Sequence, residues 1–260
     1  MWEINFISET DFENHVANTI AQYGSKLTSY DLNRFNLNKI DPIKLLFDKS
    51  VYRYDWDDVI KNELSRQRDK SSNNDIGYFH QRIFNYIEGC EVPNQGWDII
   101  LRRPEGYSLS NGEHVSTIYV EMKNKHNTMN SSSAQKTYIA MQNQILKDDD
   151  CACFLVEIIA KNSQNIPWSA RINGLQSKHN RIRRVSIDEF YKIVTNQDDA
   201  FKQICAALPG TIDKVINSVE RIDIPEDTVI DELYAFAEQR HISVELALFI
   251  LGFNSYKGFD

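Results

Sequence analysis

Residues 96–125 read GWDIILRRPEGYSLSNGEHVSTIYVEMKNK, and this stretch decides the fold. Its two ends, 97–102 and 115–123, are rich in β-branched and aromatic residues, which favour strands. Between them lie Pro-Glu-Gly at 104–106 and Asn-Gly at 111–112, which are typical of turns. The pattern therefore predicts two antiparallel strands joined as a hairpin.

Helices are predicted before this hairpin. Apolar residues at helical spacing predict one helix over residues 10–23 and a second that begins after Asp55. The polar run Ser-Ser-Asn-Asn at 71–74 predicts a break in the helical pattern. A third helix then follows from Asp75 to Gly89.

A further helix and a buried strand are predicted directly after the hairpin. Residues 131–146 begin with serines and continue with apolar residues at helical spacing, whereas 151–160 form a continuous apolar run of β type. Such a run fits a strand that is buried on both faces. The remaining segments are, in order, a basic loop, a short strand at 185–187, a helix over 188–194, and C-terminal helices broken at Pro209-Gly210 and at Pro225.

The order of these elements indicates an α/β fold with a mixed central sheet flanked by helices. We divide the chain into an N-terminal helical segment (1–70), a core (71–208) and a C-terminal helical segment (209–260). We expect the three segments to form one compact unit.

The composition restricts the class of protein. The 260 residues are 42% apolar and 25% charged, as in ordinary soluble globular proteins, and no apolar run approaches the ~20 residues of a membrane helix. The N-terminus does not look like a signal peptide, and the four cysteines form no C-x-x-C pair, so we expect reduced thiols and a cytoplasmic protein. Because the net charge is −8, a DNA-binding surface would have to be a concentrated basic region on an acidic protein.

Three charged residues of the hairpin carry the candidate chemistry. Glu121 and Lys123 are two residues apart, so their side chains share one face of the second strand. In the hairpin register, Asp98 falls opposite about position 121, which brings two carboxylates together. Two such carboxylates repel each other unless they share a cation or a proton. Mg²⁺ held by Asp98, Glu121, the backbone carbonyl of Met122 and waters would satisfy them.

This set of residues suits phosphodiester hydrolysis. A Mg²⁺ ion held by carboxylates would polarise the phosphate and lower the pKa of an attacking water. The Lys123 ammonium would orient that water or stabilise the transition state. The alternative is purely structural, a surface Glu–Lys pair and a strand-end Asp that happen to lie near each other. The spacing alone leaves both interpretations open.

The same residues resemble a known family. Asp98, a hairpin, Glu121-Met122-Lys123 and a following helix resemble the core of the PD-(D/E)xK nucleases. The wider string is similar to type II restriction endonucleases that cut GGNCC-like sites. The stretches that carry this likeness are 77–81, 96–98 and 121–128.

The resemblance covers residues 75 to about 195 and implies a restriction-endonuclease-like core. It implies Mg²⁺-dependent cleavage of double-stranded DNA by a homodimer that faces a palindrome. It also implies that Asp98 and Glu121 are metal ligands and that Lys123 is the catalytic lysine. Trp97 departs from the pattern, because a proline usually precedes the aspartate. The chemistry does not require that proline, so the departure only makes the motif less specific.

One helix residue is a further candidate. In related nucleases a glutamate often projects from the preceding helix toward the metal. Gln81 occupies the resembling place here and would bind a metal water, and Glu88 follows two turns later. The alternative for Gln81 is a solvated helix residue.

Two segments are candidate DNA contacts because they carry cations or hydrogen-bond donors. The first follows the second hairpin strand at a helix N-terminus, where a phosphate is well placed, and its candidates are Lys125, His126, Asn127, Asn130 and Ser131. The second holds five cations and no acid between residues 168 and 187, and its candidates are Arg171, Lys178, Asn180, Arg181, Arg183 and Arg184. The alternatives are a capping loop for the first segment and a solvated charged face for the second.

The sequence therefore predicts a Mg²⁺-dependent, site-specific type II restriction endonuclease that acts on double-stranded DNA. The alternatives are a structure-specific or repair nuclease of the same fold, a non-catalytic DNA-binding protein, and a phosphoesterase for small substrates. The sequence contains no Gly-rich phosphate loop or dinucleotide fingerprint, so no nucleotide cofactor is expected.

Overall fold

The computed structural model describes residues 2–26, 28–109, 112–126, 129–218 and 226–258. The helices are α1 (Glu9–Lys26), α2 (Leu32–Leu37), α3 (Pro42–Tyr52), α4 (Trp56–Arg82), α5 (Ser131–Lys147), α6 (Ile187–Thr195), α7 (Ala200–Ser218), α8 (Val229–Gln239) and α9 (Val244–Gly252), with a 3-10 turn at Ile83–Tyr86. The strands are β1 (Cys90–Glu91), β2 (Ile99–Ser108), β3 (His114–Lys125), β4 (Cys151–Ile159), β5 (Asn165–Ile172) and β6 (Leu175–Ser186).

The six strands form one mixed sheet in the order β1-β2-β3-β4-β6-β5. β1, β2 and β3 are antiparallel neighbours, whereas β3 and β4, and β4 and β6, run parallel. β5 pairs antiparallel with β6 at the edge. The predicted α/β fold with a mixed sheet flanked by helices is confirmed.

Four of the predicted elements are confirmed, namely three neighbouring strands of the sheet and one helix. β2 and β3 form the predicted hairpin, in which Ile99 faces Val120. The predicted helix over 131–146 is α5, and the predicted buried strand is β4, whose first seven residues are all buried. Local alternation and helical spacing were sufficient for these elements because each one buries a regular apolar face.

The turn predicted at residues 104–106 is wrong. β2 continues through these residues, and its register with β3 shifts between Arg102 and Tyr107. A bulge of this kind lets a strand take up extra residues without ending. Gly106 makes it possible, because its φ is +67° and an added Cβ would lie 2.8 Å from the carbonyl oxygen of Val115.

The helix break predicted at residues 71–74 is also wrong, because α4 runs across them without interruption. Serine and asparagine each lower helix stability by less than about 1 kcal/mol relative to alanine. Four such residues do not end a helix that buries side chains on both sides of them. Gln67 is buried before the segment, and Phe79 is buried after it.

The break predicted at Pro209-Gly210 is wrong for a similar reason. Both residues lie inside α7, and the buried residues Ile204 and Val215 lie on either side of them. Packing of the helix therefore outweighs the one backbone hydrogen bond that a proline removes. The break predicted at Pro225 lies outside the described residues.

The basic segment predicted as a loop is a second hairpin, formed by β5 and β6. The strand predicted at 185–187 belongs to the C-terminal end of β6, which stops at Ser186. Asn173 and Gly174 join the two strands with φ of +50° and +83°, as a two-residue type I′ turn requires. An Asn-Gly pair is a strong hairpin signal, and the interpretation as a loop overlooked it.

Alternate residues of β3 face two different apolar clusters. Ile118, Val120 and Met122 belong to the larger cluster, as predicted. Tyr119 packs against the smaller cluster, which includes Tyr138 of α5. Residues 121 and 123 therefore lie on the α5 side of the sheet.

The chain divides into two compact units, and each has a core of its own. Unit 1 comprises residues 1–20 and 76–220 and contains the sheet. Unit 2 comprises residues 21–75 and 221–260, is helical where it is described, and buries a separate apolar cluster. The division into three segments stays a prediction. Among the described helices, none is both long enough and apolar enough to cross a membrane.

Candidate active site

Asp98 stands directly before β2, at the edge of the sheet where β3 ends. Its N–H donates to the carbonyl oxygen of Val120 at 3.0 Å. Its Oδ2 accepts a hydrogen bond from the N–H of Met122 at 2.7 Å. The backbone of β3 therefore holds the Asp98 carboxylate next to position 121, as the hairpin register predicts.

Gln81, near the C-terminal end of α4, contacts the same residue. Its Nε2 lies 3.1 Å from both the carbonyl oxygen and the Oδ1 of Asp98. Gln81 is therefore brought to the candidate site, and its amide contacts the carboxylate directly. Glu88 is not brought there, because it lines a different cavity together with Arg102 and Arg103.

Glu121 and Lys123 form an ion pair beside Asp98. The Lys123 Nζ lies 2.6 Å from the Glu121 Oε1, and the two side chains are 31% and 26% exposed. The Glu–Lys pair of the structural alternative is thus present. It lies at the same sheet edge as a second carboxylate, that of Asp98, so the fold brings all three charged groups together.

The Asp98 carboxyl group is poorly compensated as an anion. Burial raises its pKa above the ordinary value, and the negative charge of Glu121 acts in the same direction. The hydrogen bond from the Met122 N–H and the charge of Lys123 oppose this change in the pKa. An added cation would therefore stabilise the charged form of Asp98.

The ligands available at this edge suit a small, hard cation. Within the described ranges, no group of three or more His, Cys, Asp or Glu side chains is placed to hold a metal. Zinc sites usually need three or four such ligands. Mg²⁺ is commonly held by one or two carboxylates, with waters and a substrate phosphate as its other ligands. Asp98 and Glu121, with the Met122 carbonyl nearby, fit Mg²⁺ by this criterion.

A cavity of about 360 Å³ opens beside Glu121. Trp97, Asn143, Gln144 and Lys147 contribute to its walls. The Trp97 Nε1 donates to the Gln144 Oε1 at 3.3 Å, so this indole is fixed against α5. The residue that departs from the family motif therefore forms one wall of the candidate site.

The first candidate DNA segment is placed at the end of β3. Lys125 is exposed, and His126 follows it directly. Asn130 caps α5, because its Oδ1 accepts the N–H of the residue three positions later at 2.8 Å, so the capping interpretation is correct for Asn130. Ser131 is the exposed first residue of α5. Asn127 lies outside the described residues.

Only some of the candidate DNA contacts in the second segment are exposed. Arg171, Lys178 and Asn180 are exposed. Arg181 donates to the carbonyl oxygen of Cys151 at 3.4 Å and lies 3.8 Å from the Glu113 carboxylate. Arg181 therefore has structural partners, and its side chain is 22% exposed.

Arg183 does not face solvent, which removes it from the candidate DNA contacts. Its exposed fraction is 0%. Its guanidinium donates to the side chain and the carbonyl oxygen of Asn165 and to the carbonyl oxygen of Asn180. Arg183 is a structural residue of the β5–β6 hairpin.

Arg184 has a partner that the sequence analysis missed. It is bonded to Glu157 of β4, a carboxylate that is 1% exposed. Glu157 is the only charged residue of β4, whose sequence is CACFLVEII. An acid within a buried strand is unusual, because a buried charge requires a partner, and that signal could have identified it.

Known proteins similar to this chain are restriction enzymes. The family model described as Eco47II restriction endonuclease matches residues 4–217, which include every candidate residue named above. The type II restriction enzyme Sau96I of Staphylococcus aureus is 29% identical over 253 residues, which are 94% of this chain and 93% of that enzyme. The type II restriction enzyme Eco47II of Escherichia coli is 26% identical over 223 residues, which are 82% of this chain and 88% of that enzyme.

Proposed function

The chain belongs to the Eco47II restriction endonuclease family, and from this premise we propose that it cuts both strands of DNA at a short GGNCC-like palindrome with Mg²⁺. Its activity is that of a type II restriction enzyme. The resemblance to type II restriction endonucleases that cut GGNCC-like sites is thus confirmed. One observation supports the proposed chemistry most directly, the hydrogen bond from the Met122 N–H that holds the Asp98 carboxylate beside the Glu121–Lys123 pair.

We assign roles to these residues on the pattern of the PD-(D/E)xK nucleases. Asp98, Glu121 and the carbonyl oxygen of Met122 would hold Mg²⁺, which when bound polarises the phosphate and lowers the pKa of water. Lys123 would place its ammonium against the scissile phosphate or the attacking water. Gln81 would keep the Asp98 carboxylate in its orientation through the hydrogen bond at 3.1 Å.

The residues proposed to hold DNA lie after β3 and along the second hairpin. Exposed cations and hydrogen-bond donors contribute most, because phosphate oxygens and base edges accept hydrogen bonds from such groups. The proposed contacts are Lys125, His126, Asn127, Asn130 and Ser131 near the start of α5, and Arg171, Lys178, Asn180, Arg181 and Arg184 on β5 and β6.

A homodimer is the assembly that we propose. Two copies related by a twofold axis would present identical sites to the two strands of a palindrome. The DNA that such an enzyme meets is in the cytoplasm, which is the location we propose. We propose no nucleotide cofactor, because the hydrolysis needs none.

Digestion of unmethylated DNA by the purified protein tests the proposed function. We expect discrete fragments with Mg²⁺ and none with EDTA, because the two carboxylates need a cation to act on a phosphate. Sequencing the fragment ends gives the site and the stagger. If the fragment ends map to DNA junctions or to free DNA ends, and not to a fixed sequence, a structure-specific or repair nuclease would be favoured instead. Duplex binding without any metal-dependent cleavage would favour a non-catalytic DNA-binding protein.

The variant Asp98→Asn is expected to unfold at a higher temperature than the wild type at pH 7 in EDTA. The folded-state pKa of Asp98 is raised, so ionisation at neutral pH costs folding free energy that an uncharged amide does not cost. The asparagine oxygen at position 98 can accept the Met122 N–H, and a rotated Gln81 amide can accept from the new NH2 group through its own oxygen. This contribution favours the folded protein at low pH and is lost as the pH rises through the folded-state pKa.

Thermal unfolding with and without Mg²⁺ measures this effect. Mg²⁺ is expected to raise the Tm of the wild type and to leave that of Asp98→Asn unchanged. Glu121→Gln is the matched control, and it is expected to lose stability slightly in EDTA because it loses its ion pair with Lys123. A lower Tm for Asp98→Asn in EDTA would contradict the electrostatic argument.

A further inference from the structure

A second charged cluster lies at the same edge of the sheet as the candidate active site. β3, β4 and β6 run parallel, so their C-terminal ends meet at one edge. Glu157 faces Lys123 in the register of β3 and β4. His126 directly follows β3, and Arg184 lies near the end of β6. Glu157 and Arg184, which are far from Lys123 in the chain, are thus brought to the same sheet edge as this proposed catalytic lysine.

The three residues are joined by directed hydrogen bonds. The Arg184 Nε donates to the Glu157 Oε2 at 2.9 Å, and its Nη2 donates to the Glu157 Oε1. The same Nη2 lies 2.6 Å from the His126 Nδ1. An Nη nitrogen carries two hydrogens, so one of them can serve Glu157 and the other His126. The carboxylate therefore fixes the guanidinium, and the guanidinium contacts the imidazole.

This contact determines which ring nitrogen of His126 carries the proton. A guanidinium only donates, so the Nδ1 at 2.6 Å accepts and has no hydrogen. The hydrogen of the neutral ring is then on Nε2. The Glu157 Oε2 lies farther from the Nδ1, at 3.3 Å. Among the residues that the structure describes, none makes a hydrogen bond to the His126 Nε2, and the side chain is 19% exposed.

Stability alone does not explain a buried ion pair at this place. Removing two charges from water is costly, and well-packed apolar residues are often as good or better for stability. The Glu157 side chain is 2% exposed, whereas that of Arg184 is 22% exposed. The carboxylate therefore lies in the interior, and the guanidinium reaches the surface. Such an arrangement is suited to fixing the orientation of a surface group.

We propose that Glu157 is a positioning residue, which acts through Arg184 to present the Nε2–H of His126 to a hydrogen-bond acceptor of the DNA beside the cleavage site. The inference rests on the proposed function, because it takes DNA as the ligand. The acceptor is a phosphate oxygen or a base edge, both of which take a single N–H donor.

Two substitutions of His126 separate its two nitrogens. The amide nitrogen of glutamine reaches the place of Nε2, whereas that of asparagine reaches only the place of Nδ1. The probe is the duplex whose site the sequenced fragment ends reveal, and its Kd is measured in EDTA. We expect H126N to bind about tenfold more weakly, as for a lost hydrogen bond to a charged group, and H126Q to stay within about threefold of the wild type. Equal binding by all three proteins, or a loss in H126Q alone, would overturn the proposal.

The role of Glu157 is tested by combining substitutions. E157Q is expected to weaken binding when position 126 is the native histidine, because the ring is then free to change its tautomer. Combined with H126Q, E157Q is expected to have little further effect, because an amide has no tautomer to fix. An equal loss in both backgrounds would show a merely structural role and would overturn the coupling. If E157Q does not fold, Arg184→Lys replaces it, because lysine keeps the charge but cannot bridge both partners.

Duplexes that each carry one changed base pair show whether the acceptor is a phosphate oxygen or a base edge. A loss in H126N that is equal for all duplexes identifies a phosphate oxygen, and a loss restricted to one base pair identifies a base edge. Failure of the proposed function looks different, because the wild type would then give no metal-dependent fragments at all. If only the role of His126 is wrong, the wild type still cuts DNA with Mg²⁺.

Discussion

Lys123→Ala is expected to lower the rate of DNA cleavage at least about 100-fold, the loss typical of removing one donor that stabilises a transition state. The ammonium is held at the candidate site by its contact with Glu121 at 2.6 Å and lies beside the Asp98 carboxylate. The Kd for DNA in EDTA is expected to change by less than about threefold, because the Lys123 charge is already paired with Glu121 in the protein. Single-turnover cleavage of a duplex with saturating enzyme measures the rate.

Lys125→Ala is the matched control for this experiment. Lys125 lies two residues later on the same face of β3, and it is exposed. Its loss is expected to weaken DNA binding and to reduce the salt dependence of the Kd, while the single-turnover rate at saturation stays near that of the wild type. Discrete fragments produced by Lys123→Ala at the wild-type rate would remove the proposed mechanism.

Arg183→Ala is expected to lower the free energy of unfolding by about 3 to 5 kcal/mol, as for other large buried side chains. Arg183 is among the largest fully buried side chains of the described residues. Its removal leaves a cavity and deprives the oxygen atoms of Asn165 and Asn180 of their donor. Urea unfolding followed by circular dichroism measures the change.

Lys178→Ala is the control on the same strand. Lys178 is exposed, so its loss is expected to change the free energy of unfolding by less than about 0.5 kcal/mol and to weaken DNA binding instead. If Arg183→Ala folded as stably as the wild type and bound DNA weakly, Arg183 would return to the candidate contacts.

Elements with a regular local pattern could be predicted from the sequence. The alternation in residues 115–123 predicts which residues of β3 face the larger cluster, and Ile118, Val120 and Met122 are found there. The predicted breaks at 71–74 and at Pro209 are wrong because helix propensity is weak compared with burial of the neighbouring turns.

The arginines of the second hairpin could not be placed from the charge pattern alone. Arginine residues of a strand point alternately to opposite faces, so Arg183 and Arg184 cannot share one surface. If the segment were a loop, all of its cations could contact DNA. Because it is the strand β6, Arg183 is buried against Asn165 and Arg184 is paired with Glu157.

The sequence by itself determined the β2–β3 hairpin and the meeting of Asp98, Glu121 and Lys123, because register and alternation act within one short stretch of chain. Only the tertiary structure decided the surroundings of that site. Glu157 and Arg184 come from two other strands, and they reach the same sheet edge through parallel pairing of β3, β4 and β6. Gln81, to which the family resemblance already pointed, reaches it from α4 and contacts the Asp98 carboxylate directly. Whether a charged side chain meets DNA or a buried partner depends on which element covers its face, and a pattern of neighbouring residues does not contain that information.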